Sequence, residues 1–147
     1  MAFLVEDGTG TDPAANSYAT VEQFDAYHLD RGNDTDAVDD AEVLLIRATD
    51  YIDQRWGPVL KGFRLLDDQP LMFPRQYLYD KDGVLVEGIP NKLVFAVCEY
   101  ALIASGHSLW NTPTVDASGA QIIEKTVGPL TIKYADSGGS SASAAVV

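Results

Sequence analysis

Apolar residues recur at three- and four-residue spacing in three stretches of the chain, and each stretch predicts a helix. The first opens at Thr20, whose hydroxyl and the Gln23 amide three residues on form a capping box for the first free N–H groups. Val21, Phe24, Leu29 and Tyr27 or His28 make its stripe, and Gly32 ends it. Asn33-Asp34-Thr35 then supplies the cap of a second helix, predicted over residues 36–56. Along it Ala41, Leu44, Leu45, Ala48, Tyr51, Ile52 and Arg55 or Trp56 form one continuous apolar face. Asp36, Asp39, Asp40 and Glu42 sit at its positive end, Arg47 and Arg55 nearer the negative one, as the macrodipole favours. Gly57-Pro58 stops it. The third helix opens at Pro90, whose missing N–H costs nothing in a first turn. It runs through Leu93, Val94, Val97, Cys98, Ala101, Leu102 and Ala104 to Gly106 and is apolar on nearly all sides, the mark of a central core helix. Leu45, Ile52, Val97 and Ala101 are expected to be buried where the second and third helices meet.

Elsewhere the period changes. Residues 121–127 and 130–134 alternate, with Ile123, Lys125 and Val127 answered by Leu130, Ile132 and Tyr134. They predict a hairpin turned at Gly128-Pro129, although that dipeptide is not a favoured hairpin turn. Residues 58–88 carry Leu65, Leu66, Leu71, Met72, Phe73, Tyr77, Leu78 and Tyr79, too apolar for a solvated loop. They read as an Ω-like excursion packed over the helices, with a turn at Asp82-Gly83. Phe3-Leu4-Val5 is a short extended segment followed by a Gly- and Asp-rich loop. Residues 137–147 have the Ser/Gly/Ala composition of a flexible linker. The fold class expected is therefore mainly α: a small bundle of three principal helices with a C-terminal β-hairpin and extended terminal arms. Residues 1–16 would be the N-terminal arm, 17–134 the bundle with its hairpin, and 135–147 the C-terminal arm.

A chain of 147 residues makes one domain and can bury roughly 70% of its unfolded surface. Its charge changes the picture more than its size: 22 acidic against 10 basic residues give a net −12. Such a surface repels phosphate backbones, whose capture depends on Lys and Arg. The basic residues are dispersed, and Lys61, Arg64 and Arg75 come closest to a patch. Cys98 is the one cysteine, so no intrachain disulfide forms and a cytosolic history is expected. In an apolar helix it reads as a buried, inert thiol. There is no secretory signal pattern and no apolar run of membrane-spanning length.

Catalytic chemistry finds little support in the residues. The carboxylate pairs Asp39/Asp40, Asp67/Asp68 and Asp50/Asp53 fall on polar helix faces and in loops, not in the split environments that acid–base work needs. The acids from Asp30 to Asp40 lack the ligand spacing and central glycine of a calcium loop. His28 and His107 stand far apart; the first reads as a helix-face residue and the second as a cap after the third helix. No nucleophile elbow, P-loop or dinucleotide fingerprint occurs. The expectation is a protein that is not an enzyme and uses no cofactor or metal. Tyr18, Phe24, Tyr27, Phe73, Tyr77 and Tyr79 could stack on single-stranded bases, but their neighbours are chiefly Asp, so core packing or a protein interface is the better reading.

Three segments in order carry a resemblance: Asn16-Ser17-Tyr18, Phe73-Pro74-Arg75 and Val127-Gly128-Pro129-Leu130. Together with the acidic second helix and the Ile89-Pro90 helix start, the chain resembles the small head–tail adaptor, or head-completion, proteins of tailed phages. Many of these relatives carry the label DnaT-like single-stranded-DNA-binding protein. The resemblance covers most of residues 15–134. In relatives an aromatic residue, often tryptophan, precedes the Pro-Arg pair, and Phe73 departs mildly from that. What it implies is a structural virion subunit at the head–tail interface, made in the host cytoplasm. It would form a homo-oligomeric, dodecameric ring between the portal and a downstream neck or tail protein. DNA would pass through that ring without specific binding, and no membrane would be involved. The candidate interface residues are Phe3, Leu4, Val5, Tyr18, Phe73, Arg75, Val146 and Val147. The alternative is a replication-associated single-strand binder, against which the −12 charge counts.

Overall fold

Local capping chemistry sets the first helix. The computed structural model describes residues 2–110, 124–127 and 130–133. In it the Thr20 hydroxyl accepts from the Gln23 backbone N–H at 3.1 Å, and the Gln23 side chain accepts from the Thr20 N–H at 2.9 Å. Helix α1 follows over Val21–Leu29. Helix α2 spans Ala41–Trp56 and runs into a 3-10 turn at Gly57–Val59. It begins five residues later than the sequence predicts. Val38 N–H closes a turn onto the Thr35 carbonyl, and Asp40 adopts φ 55°, a left-handed backbone that cannot continue a helix. Asp36 and Asp39 therefore precede the helix rather than occupy its first turn. Helix α3 spans Asn91–Gly106 behind Pro90, and His107 N–H bonds the Ile103 carbonyl at its end.

Helix α3 packs mainly on α2 and less extensively on α1. Leu45, Ile52, Val97 and Ala101 are all buried, as expected where the second and third helices meet. Phe24, Ala48 and Cys98 complete that contact. The apolar surface of α3 is not wholly used, because Phe95 and Ile103 remain exposed. His28 lies on the buried face of α1 with Phe24. It is fully buried between the rings of Phe24 and Tyr27, with Nε2 2.9 Å from the Cys98 carbonyl and Nδ1 3.2 Å from the Asn33 amide. Donation from Nε2 to the carbonyl leaves Nδ1 to accept from the amide. Burial, with a smaller contribution from Glu99, pushes the Cys98 thiol up to about 11. A thiol so raised holds almost no thiolate at neutral pH. Iodoacetamide should therefore leave Cys98 unmodified in the folded protein and alkylate it rapidly in denaturant. Fast modification without denaturant would contradict this packing.

The expected architecture needs correcting at both ends. The sheet belonging to the helical body lies in mid-chain, where β1 (Phe63–Arg64) pairs antiparallel with β2 (Arg75–Gln76). Phe63 faces Gln76 and Arg64 faces Arg75. A body of three helices completed by a C-terminal hairpin is not what forms. Residues Met1–Trp110 make one compact unit, and Asn111–Val147 a second. Within the second, β3 (Glu124–Val127) pairs antiparallel with β4 (Leu130–Lys133). The expected turn at Gly128-Pro129 and the boundary at 134/135 lie outside the described residues. The N-terminal segment is no free arm either. Val5 bridges Ser17 in parallel, Asn16 Oδ1 accepts from Leu4 N–H at 2.9 Å, and Asn16 Nδ2 donates to the Ala2 carbonyl at 2.8 Å. Backbone bonds from Asn16 N–H to the Leu4 carbonyl and from Glu6 N–H to the Ser17 carbonyl, each 2.8 Å, complete the tether, and Phe3 packs against the core.

Candidate functional site

The excursion from 58 to 88 is held by polar groups at its base. Tyr18 Oη donates to Asp53 Oδ1 at 2.7 Å and accepts from Phe73 N–H at 3.1 Å, while Asp53 Oδ2 accepts from Met72 N–H at 3.1 Å. Burial raises the Asp53 carboxyl above the ordinary carboxylate range, against the lowering effect of these hydrogen bonds. Burial and then the Asp53 charge push the Tyr18 phenol far above its usual range, so it serves as a permanent donor. Gln69 staples a loop: its Nε2 donates to the Leu71 and Pro74 carbonyls, and its Oε1 accepts from Leu66 N–H. Arg75, also buried, donates to the carbonyls of Lys61 (2.8 Å), Gly62 (2.8 Å) and Met72 (3.1 Å). A guanidinium fixed on three carbonyls positions backbone; it is not offered to a ligand.

That frame projects a surface. Gly62 sits at φ +70°, and a Cβ there would stand 2.5 Å from the Gln76 carbonyl oxygen. Beside it Tyr77 adopts φ 56°, a conformation an aromatic residue rarely takes. Leu78 and Val86 are then joined by a backbone bond of 2.7 Å, and Tyr79 bridges Leu85. Asp80 closes the turn between them by accepting from the N–H groups of Asp82 and Val84. The outcome is a run of unburied rings: Phe63 is 67% exposed, Tyr77 67% and Tyr79 54%. A groove of about 430 Å³ lies along Tyr77, Tyr79, Leu65 and Leu85. Lys61, Arg64 and Lys81 are exposed on the same excursion. Gly62→Ala should collapse this surface, since backbone cannot retreat as a side chain can. The Cβ clash would part β1 from β2, and protease cleavage between residues 60 and 80 should rise sharply. Wild-type resistance in the variant would contradict the close approach.

The structure places the sequence-predicted residues mostly inside. Tyr18 and Phe73 meet edge to face at 6.0 Å and are buried, and Arg75 is the buried clamp. Phe3, Leu4 and Val5 are half-buried along the Ser17 bridge. Val146 and Val147 lie outside the described residues. The aromatic set divides: Tyr18, Phe24 and Phe73 are interior, Tyr27 half-buried, Tyr77 and Tyr79 exposed. Phe63 escaped notice in the sequence, as did the shared exposure of Lys61, Arg64 and Lys81 along the excursion. The signal was there in Phe63-Arg64 and in Lys81 two residues after Tyr79. Among the described residues, no group of three His, Cys, Asp or Glu side chains could hold a metal ion, and no helix is long and apolar enough to cross a membrane.

Exposed rings with scattered cations are the equipment of a single-strand binder, and comparison with known proteins bears on that point. Over residues 1–147 the chain matches the family described as "Putative DnaT-like ssDNA binding protein". The chain belongs to this family. No curated protein and no solved structure matches it. Membership of the DnaT-like family corrects the expected role. The family's description points to DNA binding, and the reading as a virion head–tail connector finds no support in it. For a DnaT-like chain the acidic surface becomes something to explain rather than a reason to exclude nucleic acid.

Proposed function

We propose that this protein binds single-stranded DNA, in a replication-associated role, through the exposed face of the 58–88 excursion. The observation that carries the reading is the set of Phe63, Tyr77 and Tyr79, solvent-exposed rings on an excursion that also exposes Lys61, Arg64 and Lys81. Each base has an apolar π-face, and stacking it on such a ring contributes about 1–3 kcal/mol whatever the sequence. The cations then follow the backbone at short range. No reaction is assigned; the excursion offers a binding surface.

The net charge of −12 turns from an obstacle into a filter. Duplex DNA carries one negative charge per roughly 1.7 Å of axis and keeps its base faces stacked inside. An acidic protein with few cations gains little from it and is repelled. A single strand presents bare bases, so stacking outweighs the repulsion there. Competition tests this: a labelled single-stranded oligothymidine bound to the protein is challenged with unlabelled single strand or duplex of equal length. Single strand should displace the probe at least about tenfold more effectively than duplex, the equivalent of about 1.4 kcal/mol. Equal displacement by duplex would overturn the stacking basis of the proposal.

A further inference from the structure

A second concavity, of about 630 Å³, lies between α2 and the end of α3, away from the residues assigned above. One wall is a polar stripe on α2: Arg47, Asp50 and Gln54, three and four residues apart and so on one helix face. The other wall carries Trp110, 50% exposed. Its indole is held edge-on by Tyr51 at 5.0 Å, and Tyr51 in turn lies 5.0 Å from Tyr100. A ring braced by a second, itself braced by a third, is already oriented and loses little freedom when something stacks on it. Asp50 supplies an independent sign. Its carboxyl lines the groove exposed to solvent, partial desolvation raises it, and among the described residues no group donates a hydrogen bond to it. A carboxylate without a donor, lining a groove, is matched by a ligand that brings N–H groups.

We propose that this groove takes one unpaired nucleobase, guanine in preference to the other three, stacked against Trp110 with its pairing edge toward Asp50 and Gln54. Guanine offers N1–H and N2–H donors side by side with the O6 acceptor. A carboxylate accepts both donors, and the Gln54 amide N–H reaches O6. Thymine offers a single N3–H between two carbonyl oxygens that face the carboxylate, and adenine and cytosine bring only one amino group beside a bare ring nitrogen. Arg47, one turn before Asp50, stands where a 5′-phosphate would be met. The volume lies within the range of roughly 300–1,000 Å³ usual for small-molecule sites. The inference deepens the single-strand reading, adding base preference to sequence-tolerant stacking, and rests on it for its role in the cell.

The test uses the full chain and free mononucleotides. Calorimetric titration with dGMP, dAMP, dCMP and TMP should show dGMP binding at least about tenfold more tightly than TMP, since a good bidentate pair discriminates by this order. Trp110→Ala should weaken dGMP at least about tenfold, and Asp50→Asn should erase the preference while circular dichroism stays that of the wild type. Gln54→Ala provides a variant far from any packing role and should lower dGMP affinity alone. Equal affinity for all four nucleotides, no saturable binding of any, or a guanine preference that survives Asp50→Asn would each overturn the site. A chain that binds dGMP through Trp110 yet no oligonucleotide would sustain this site and sink the single-strand reading. One that binds oligothymidine equally well with and without Trp110, and no mononucleotide, would sink this site alone.

Discussion

Tyr77→Gly should lower affinity for a single-stranded oligonucleotide while leaving the fold as stable as before, or slightly more so. The two effects have separate origins. Tyr77 is held at φ 56°, in a region that costs a side-chain-bearing residue roughly 1–2 kcal/mol and glycine nothing. Its ring returns little of that cost to the fold, being 67% exposed. Glycine therefore removes strain together with the ring. If the ring stacks on a base, its loss costs about 1–3 kcal/mol, or roughly 5- to 150-fold in affinity. Tyr79→Ala should act similarly, and the double variant should fall further than either. Anisotropy titration and a thermal melt on each variant check both halves. Unchanged affinity in the double variant would remove the rings from the binding face; a large loss of stability in Tyr77→Gly would make the ring part of the packing.

The largest expected stability effect lies elsewhere, at Leu45. It is fully buried on the α2 face that meets α3, among Ala48, Val97, Cys98 and Ala101. Small neighbours on both helices hold the backbones close, so the space of a deleted leucine cannot be refilled by a long side chain swinging in. Leu45→Ala should then cost about 2–5 kcal/mol, transfer term and cavity term together. Denaturant unfolding measures it as a fall in midpoint at unchanged slope. A loss under about 1 kcal/mol would place Leu45 outside a tightly packed core.

How far the fold was legible follows from where its determinants lie. The α1 cap is local chemistry between Thr20 and Gln23, and it is found where the sequence puts it. The contact of α2 with α3 is a period of 3.6 sustained over many residues, and that too could be read. What escaped depends on partners distant in the chain. Strands of two residues carry no alternation, and β1 and β2 form because Gly62 permits close approach and Arg75 clamps the Lys61 and Gly62 carbonyls. The N-terminal segment read as an extended arm because its tether, the backbone and side chain of Asn16 with Ser17, lies about a dozen residues from Leu4. The late start of α2 turns on the backbone of Asp40, where an acidic run suited the macrodipole and hid a left-handed residue.

The candidate site was harder to read for the same reason. Tyr18, Phe73 and Tyr77 are chemically alike in sequence, and only packing sends the first two inward and the third out. Arg75 looked like the cation nearest the rings, yet three of its five N–H donors are fixed on backbone carbonyls. The cations left exposed on the excursion, Lys61, Arg64 and Lys81, span 20 residues of sequence, and only the structure shows that all three face solvent. Charge counted over the whole chain obscured this. A total of −12 describes the average surface, whereas a strand would meet one face of it.

The central claim is that base stacking, not phosphate capture, holds the single strand, and the salt dependence of binding tests it most directly. Each neutralised phosphate contributes about −0.7 to the slope of log affinity against log salt on a single strand, so three exposed cations allow a slope no steeper than about −2. The measurement is an anisotropy titration of labelled oligothymidine at a series of salt concentrations. The expected result is saturable binding with a slope between zero and about −2. Absence of binding at the lowest salt, or a slope several times steeper, would contradict it.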